Sequence, residues 1–157
     1  MLRETILVFA ALLVLASATE VNPCENGAFE SPPLRQVQIS GCETAPCKLK
    51  RKTRVSIEQV FTPSRDIQSL TNTVHAKVFG VPLPFIGVDG TDACQQIYNS
   101  DGSKAECPLK KGQQYLYKNS FPVLPIYPLL SVNVIYSLTE GGKDTVTCFE
   151  IPSRITN

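Results

Sequence analysis

Six cysteines, Cys24, Cys42, Cys47, Cys94, Cys107 and Cys148, constrain what this chain can fold into more than any other feature of it. An even set of thiols means three disulfides in an oxidising compartment, and metal ligands or free thiols in a reducing one. The first residues indicate which applies. Arg3 precedes the apolar run "ILVFAALLVL" from Ile6 to Leu15, which leads into Ala16-Ser17-Ala18. That is the pattern of a secretory signal peptide with an A-x-A cleavage site. The run is shorter than the roughly 20 apolar residues that span a bilayer. Residues 1–18 are therefore expected to be a removed leader and 19–157 one secreted domain, a length that can bury a real core.

In that setting the cysteines are expected to be paired. Cys42 and Cys47, separated by "ETAP", are close enough to bond locally, and Cys94 with Cys107 encloses the polar stretch "QQIYNSDGSKAE". Cys24 and Cys148 are left to tie the two ends of the domain together. A zinc site is disfavoured, because there is no C-x-x-C and His75 is the single histidine. No metal and no cofactor are expected.

Period-two alternation recurs along the chain, and no 3.6-residue periodicity competes with it. "RQVQIS" places Val37 and Ile39 on one face, "RVSIEQVF" places Val55, Ile57 and Phe61 together, and "TVHAKVF" does the same for Val74, Ala76 and Val78. The clearest case is "LSVNVIYSL", with Leu130, Val132, Val134, Tyr136 and Leu138 on one side and Ser131, Asn133 and Ser137 on the other. It runs into "EGGKD" and returns as "TVTCFEI", which predicts a hairpin at Gly141 and Gly142. "QQYLYKNS" adds a strand carrying Tyr115 and Tyr117. Six or seven short strands, with turn signals between them and no helices, predict an all-β antiparallel sandwich.

Chemistry is harder to find. The formal net charge is +1, which gives no footprint for nucleic acid. There is no G-x-S-x-G, H-E-x-x-H or Gly-rich phosphate loop, so an enzyme is not expected. His75 lies on the strand face opposite Val74, Ala76 and Val78, where a surface or hydrogen-bonded role is the plain reading and a proton switch at acidic pH the sharper one. "KLKRKTR" carries Lys48, Lys50, Arg51, Lys52 and Arg54. Such a run is ordinarily a solvated surface; beside a pocket mouth it is a contact for anionic lipid. No asparagine stands in an N-x-S/T sequon, which removes glycan-dependent sorting.

Two proline-rich stretches remain. "GVPLPF" (80–85) cannot be an interior helix or a central strand, because proline lacks a backbone donor and fixes φ. "FPVLPIYP" (121–128) has polyproline spacing, yet its intervening Val123, Leu124, Ile126 and Tyr127 are too apolar to be left in water. Both stretches are expected to be stiff loops that pack over something.

These stretches resemble those of the ML-domain proteins (MD-2-related lipid recognition), and within them the Niemann-Pick type C2 group. The likeness is carried by "CENG", "GCETAPC", "VHAKVFGVPLPF", "CPLKKGQQY", "FPVLPIYP" and "TCFEIP", and covers nearly all of residues 19–157. It implies an immunoglobulin-like sandwich of two sheets with an apolar lipid cavity between them, and the same three disulfides. The sterol-pocket motif carries over onto Phe85, Pro122, Val123 and Tyr127. Val81 and Leu83 of the same proline-rich stretch, and Tyr136, where vertebrate members carry tryptophan, complete the expected lining. The implied function is a non-enzymatic, secreted or lysosomal carrier, monomeric, that binds a sterol and passes it between membranes or to a membrane receptor. The alternative is an extracellular module presenting a fatty acid, semiochemical or microbial lipid to a signalling receptor.

Overall fold

Each alternating stretch becomes a paired strand whose apolar side faces the space between two sheets. The computed structural model describes residues 18–25 and 36–157, so nearly all of the expected leader lies outside the described residues. The strands are β1 (Asn22–Pro23), β2 (Val37–Ile39), β3 (Cys47–Lys50), β4 (Arg54–Phe61), β5 (Thr71–Val78), β6 (Val81–Pro84), β7 (Ile97–Asn99), β8 (Tyr115–Pro122), β9 (Ser131–Glu140) and β10 (Asp144–Thr156). One sheet runs β1-β10-β9-β5-β6, with β3 also paired to β10; the other runs β2-β4-β8-β7. A 3-10 turn at Cys94–Gln96 is the only helical element among the described residues.

The strands outnumber the six or seven expected because β1, β6 and β7 are too short to show alternation. One ladder departs from antiparallel pairing: β3 runs parallel to the end of β10, with Cys47 opposite Ser153 and Lys50 opposite Thr156. The outer edge of β10 is thus shared. β1 covers it at Phe149 and Glu150, β3 covers it from Ser153 onward, and Pro152 falls in the gap between them. A residue without a backbone donor is tolerated at that gap in an otherwise interior strand.

The hairpin between β9 and β10 forms at Gly141 and Gly142, both with positive φ, and Lys143 N–H donates to Glu140 O at 3.1 Å. All six cysteines pair as expected, Cys24–Cys148, Cys42–Cys47 and Cys94–Cys107. The core lies between the sheets, with Ile57, Phe61, Val74, Tyr117, Tyr136, Leu138, Phe149 and Ile151 all buried.

Candidate functional site

The stretch "GVPLPF" is an edge strand, not a loop. β6 pairs with β5 through Val78–Val81 and Ala76–Leu83, and its other edge pairs with no strand among the described residues, so Pro82 and Pro84 interrupt no ladder there. The turn joining β5 to β6 is Phe79-Gly80, both at positive φ (49° and 81°). That is the two-residue geometry that matches strand twist, though normally built from glycine or asparagine. Phe79 is 98% exposed at its tip. After Pro84 the chain turns inward. Phe85 N–H donates to Val74 O at 2.8 Å, Val88 N–H donates back to Phe85 O at 3.1 Å, and the Asp89 carboxylate accepts from Val74 N–H at 2.9 Å. These bonds drive the Phe85 ring into the sandwich.

Phe85 separates two apolar spaces. Outside it is a mouth of about 320 Å³, walled by β5 (Ala76, Val78), by Leu83 and Ile86, and by Tyr127 and Leu130 of the 121–130 segment. Inside it is a void of about 20 Å³ between the sheets, bounded by Ile57, Val74, Phe121, Tyr136 and Phe149. Phe85 belongs to both walls. Its ring meets Phe121 edge-on at 5.6 Å and Tyr127 at 5.0 Å between centroids, geometries favoured by the ring quadrupoles. Tyr127 is held in turn by its hydroxyl, which donates to Ile86 O at 2.6 Å, and burial raises its pKa above the usual phenol value.

The inter-sheet cavity that the family resemblance implies is thus nearly closed. The inner void holds about one water molecule's volume, whereas small-molecule pockets run from roughly 300 Å³ upward. Apolar walls with nothing between them forfeit dispersion contacts, so the side chains close the gap. A larger depression of about 720 Å³ lies at Gly41 on the opposite side of β2 and β4, but Glu43, Lys48, Ser56 and Glu58 line it. An apolar ligand there would desolvate charge.

Beyond the void the interior turns polar. Tyr117 donates to Asn72 Oδ1 at 2.6 Å and, its proton so used, accepts from Tyr136 at 2.6 Å and from Asn119 Nδ2 at 2.9 Å. Burial pushes both phenols up, Tyr136 to about 12 and Tyr117 further.

The basic run lies beside the mouth. Lys52 N–H donates to Val123 O and Val123 N–H to Thr53 O, both at 2.8 Å, and the Arg51 guanidinium caps Pro125 O and Tyr127 O at 3.1 and 3.3 Å. Arg54 is bound to Ser120. The two arginines therefore brace the mouth segment, and Lys48 and Lys50 stand on the outer face of β3. His75 is half-exposed, with Nε2 4.0 Å from the Asp89 carboxylate.

Of the residues expected from sequence, Phe85, Tyr127, Tyr136 and Leu83 lie on these walls. Val123 is buried behind them, fixed by its two backbone bonds to the β3–β4 turn, while Pro122 and Val81 are exposed at the rim. Ile126 was expected to be covered, yet it is 72% exposed. Sequence reasoning had no signal for Phe121 and Phe149 as inner walls, since an alternating strand does not say whether its partner touches it or leaves a gap.

These features define a class: a disulfide-tied, immunoglobulin-like β-sandwich that opens between its sheets at one apolar end. The profile of the ML domain matches residues 18–155. The chain is 36% identical to NPC intracellular cholesterol transporter 2 homolog a of Drosophila melanogaster, covering 99% of both chains, and 34% identical to NPC intracellular cholesterol transporter 2 of Bos taurus, covering 94% of this chain and 93% of that one. It superposes on a Niemann-Pick type C2 protein from the Japanese carpenter ant with a TM-score of 0.65 at 26% identity, over 76% of this chain and 89% of the other. The chain belongs to the ML-domain family.

Proposed function

We propose that this protein is a lipid carrier whose ligand, a sterol or sterol-like molecule, passes the mouth and lodges between the sheets by displacing Phe85. The observation that carries the reading is that Phe85 walls both the open mouth and the closed void. A single side-chain movement joins them, and every other wall is apolar enough to stabilise a ligand at roughly 25 cal/mol per Å² buried. The cholesterol transporter names of the fly and bovine relatives support a sterol. The chemistry asked of the protein is burial and release, with no bond made or broken.

Delivery is to a membrane or a membrane receptor, from a secreted or lysosomal location. The rim supports it: Phe79, Val81, Leu83, Ile86, Ile126 and Leu129 are exposed together with the lysines of the 48–52 run nearby. Apolar groups enter the headgroup boundary while cations meet anionic lipid.

The test is mass spectrometry of lipids extracted from the natively purified protein, followed by fluorescent-sterol titration of wild type and Phe85→Ala. A sterol at near one equivalent, with altered affinity in the variant, is expected. A free fatty acid or volatile would move the protein to the role of presenting a signal lipid. Wild-type affinity in Phe85→Ala would remove Phe85 from the path.

A further inference from the structure

β6 covers the edge of β5 only as far as His75, opposite Pro84, so the turn that follows has to satisfy the backbone of Val74 and Asn72 beyond it. Orphaned N–H and C=O groups are costly once water is excluded. Three of these four groups find backbone partners: Asn72 O accepts from Gly90 N–H at 2.7 Å, Asn72 N–H donates to Thr91 O at 2.8 Å, and Val74 O accepts from Phe85 N–H at 2.8 Å. The fourth, Val74 N–H, donates to a side chain, Asp89 Oδ1, at 2.9 Å. A carboxylate thus stands where a neighbouring strand would have offered a carbonyl, and a charge-assisted bond of this kind is stronger than a neutral one.

Asp89 also closes a ring. Its own N–H donates to Phe85 O at 3.0 Å, so the bonds from Phe85 to Val74, from Val74 to Asp89 and from Asp89 back to Phe85 run head to tail. Phe85 therefore has both backbone groups bound. Positive φ at Gly87 and Gly90 (85° and 77°) lets the chain turn tightly enough to bring Asp89 back. His75 Nε2 is 4.0 Å from the same carboxylate oxygen, beyond hydrogen-bond reach, so Val74 N–H is the donor that oxygen holds. Val74 and Phe85 wall the inner void, while Asp89 lines neither apolar space.

We infer that Asp89 is a positioning residue for ligand passage: its carboxylate pins the backbone beneath Phe85, so the gate opens by rotation of the Phe85 side chain on a fixed pivot and not by release of the turn. The inference rests on the carrier reading above and deepens it by naming what holds the gate. A bond present in both the closed and the open state shifts no equilibrium between them. Its loss frees the backbone to yield as well, which widens the passage in both directions. Asp89 thus governs how fast the ligand exchanges, with little hold on how tightly it binds.

The experiment follows dehydroergosterol, a fluorescent sterol, by stopped-flow association and by dissociation into excess cholesterol, for wild type, Asp89→Ala and Asp89→Asn. Asp89→Ala should raise both rate constants about tenfold, the factor expected for one lost charge-assisted bond, with Kd held within about threefold. Asp89→Asn keeps an acceptor oxygen at the same reach and should return both rates to within about twofold of wild type. In a Phe85→Ala background the Asp89→Ala change should add little, because the group it positions is gone. Hydrogen exchange supplies a readout that needs no variant: the Val74 and Phe85 amides of wild type should stay protected when dehydroergosterol is bound. Unchanged rates in Asp89→Ala, Asp89→Asn as fast as Asp89→Ala, a tenfold effect that persists without Phe85, or loss of Val74 and Phe85 protection on binding would each overturn the inference and leave the carrier reading standing. Failure of dehydroergosterol to bind wild type would overturn both.

Discussion

The two ends of the sandwich are built on opposite terms. At the closed end, Ile67 and Leu109 exchange backbone hydrogen bonds at 3.0 and 2.8 Å, Ala93 N–H donates to Leu70 O at 2.8 Å, the Cys94–Cys107 bridge ties the neighbouring loop, and Tyr117, Asn72, Tyr136 and Asn119 satisfy one another. At the mouth, apolar side chains on β6 and the 121–130 segment face water with no such partners. One region spends its residues on stability and the other leaves surface for a ligand or a membrane. Stability and function should therefore respond to substitution at different ends.

The largest effect tests whether the ends share one cooperative unit. Cys24–Cys148 closes a separation of 124 residues, and its removal should destabilise by about 4 to 5 kcal/mol in the chain-entropy model, against about 3 for Cys94–Cys107 with its separation of 13. Denaturant melts of Cys24→Ser/Cys148→Ser and Cys94→Ser/Cys107→Ser check this. Equal losses would mean that strain or residual structure outweighs loop length.

Next in size is the core itself. Phe149→Ala, which empties the stack against Tyr136 at 5.6 Å, should cost about 3 to 5 kcal/mol, whereas Leu83→Ala at the half-exposed rim should stay within about 1. Similar losses at both positions would erase the distinction between the ends.

Alkaline pH separates them without mutation. Burial raises Tyr136 to about 12, against about 10 in an unfolded chain, and raises Tyr117 in the same direction. Both states hold the proton below pH 10, so that stability is intact there. As pH rises from 10 to 12 the unfolded chain ionises first, and about 2 to 3 kcal/mol should be lost for Tyr136 alone. Phenolate absorbance followed beside circular dichroism should show the last tyrosines ionising only with unfolding. Early, non-cooperative ionisation of all five tyrosines would show the closed end open to solvent.

The smallest effect on stability concerns the rim. Lys50→Glu/Lys52→Glu should leave the melt within about 0.5 kcal/mol, while sterol transfer to anionic vesicles slows and loses its salt dependence. Equal transfer to neutral and anionic vesicles by wild type would return the run to a plain solvated surface.

Much of the fold was legible in the chain. Alternation in 54–61, 71–78 and 131–140 needs only a water-facing and a core-facing side, and Gly141-Gly142 needs only positive φ, so each was readable locally. β6 was not, because its prolines hide a strand whose outer edge is unpaired among the described residues. The parallel β3–β10 ladder was not either, since nothing within 47–50 or 153–156 encodes direction. Among the site residues, Phe85 and Tyr127 were found through the family resemblance and stand on the walls, while Val123 belongs to the frame behind them.

Taken alone, the sequence determined the longer alternating strands, the β9–β10 hairpin and the two local disulfides, with Cys24 and Cys148 left to pair by elimination, because backbone periodicity, turn geometry and short thiol separations are local properties. The tertiary structure decided the width of the inter-sheet space, the gate at Phe85 and the buried Tyr117–Asn72 bond beyond it. Those depend on which residues of one sheet meet which of the other, at separations no periodicity records: Phe85 against Phe121, and Tyr117 against Asn72. Alternation says that a side chain points inward; only packing says whether a neighbour fills the space it points into.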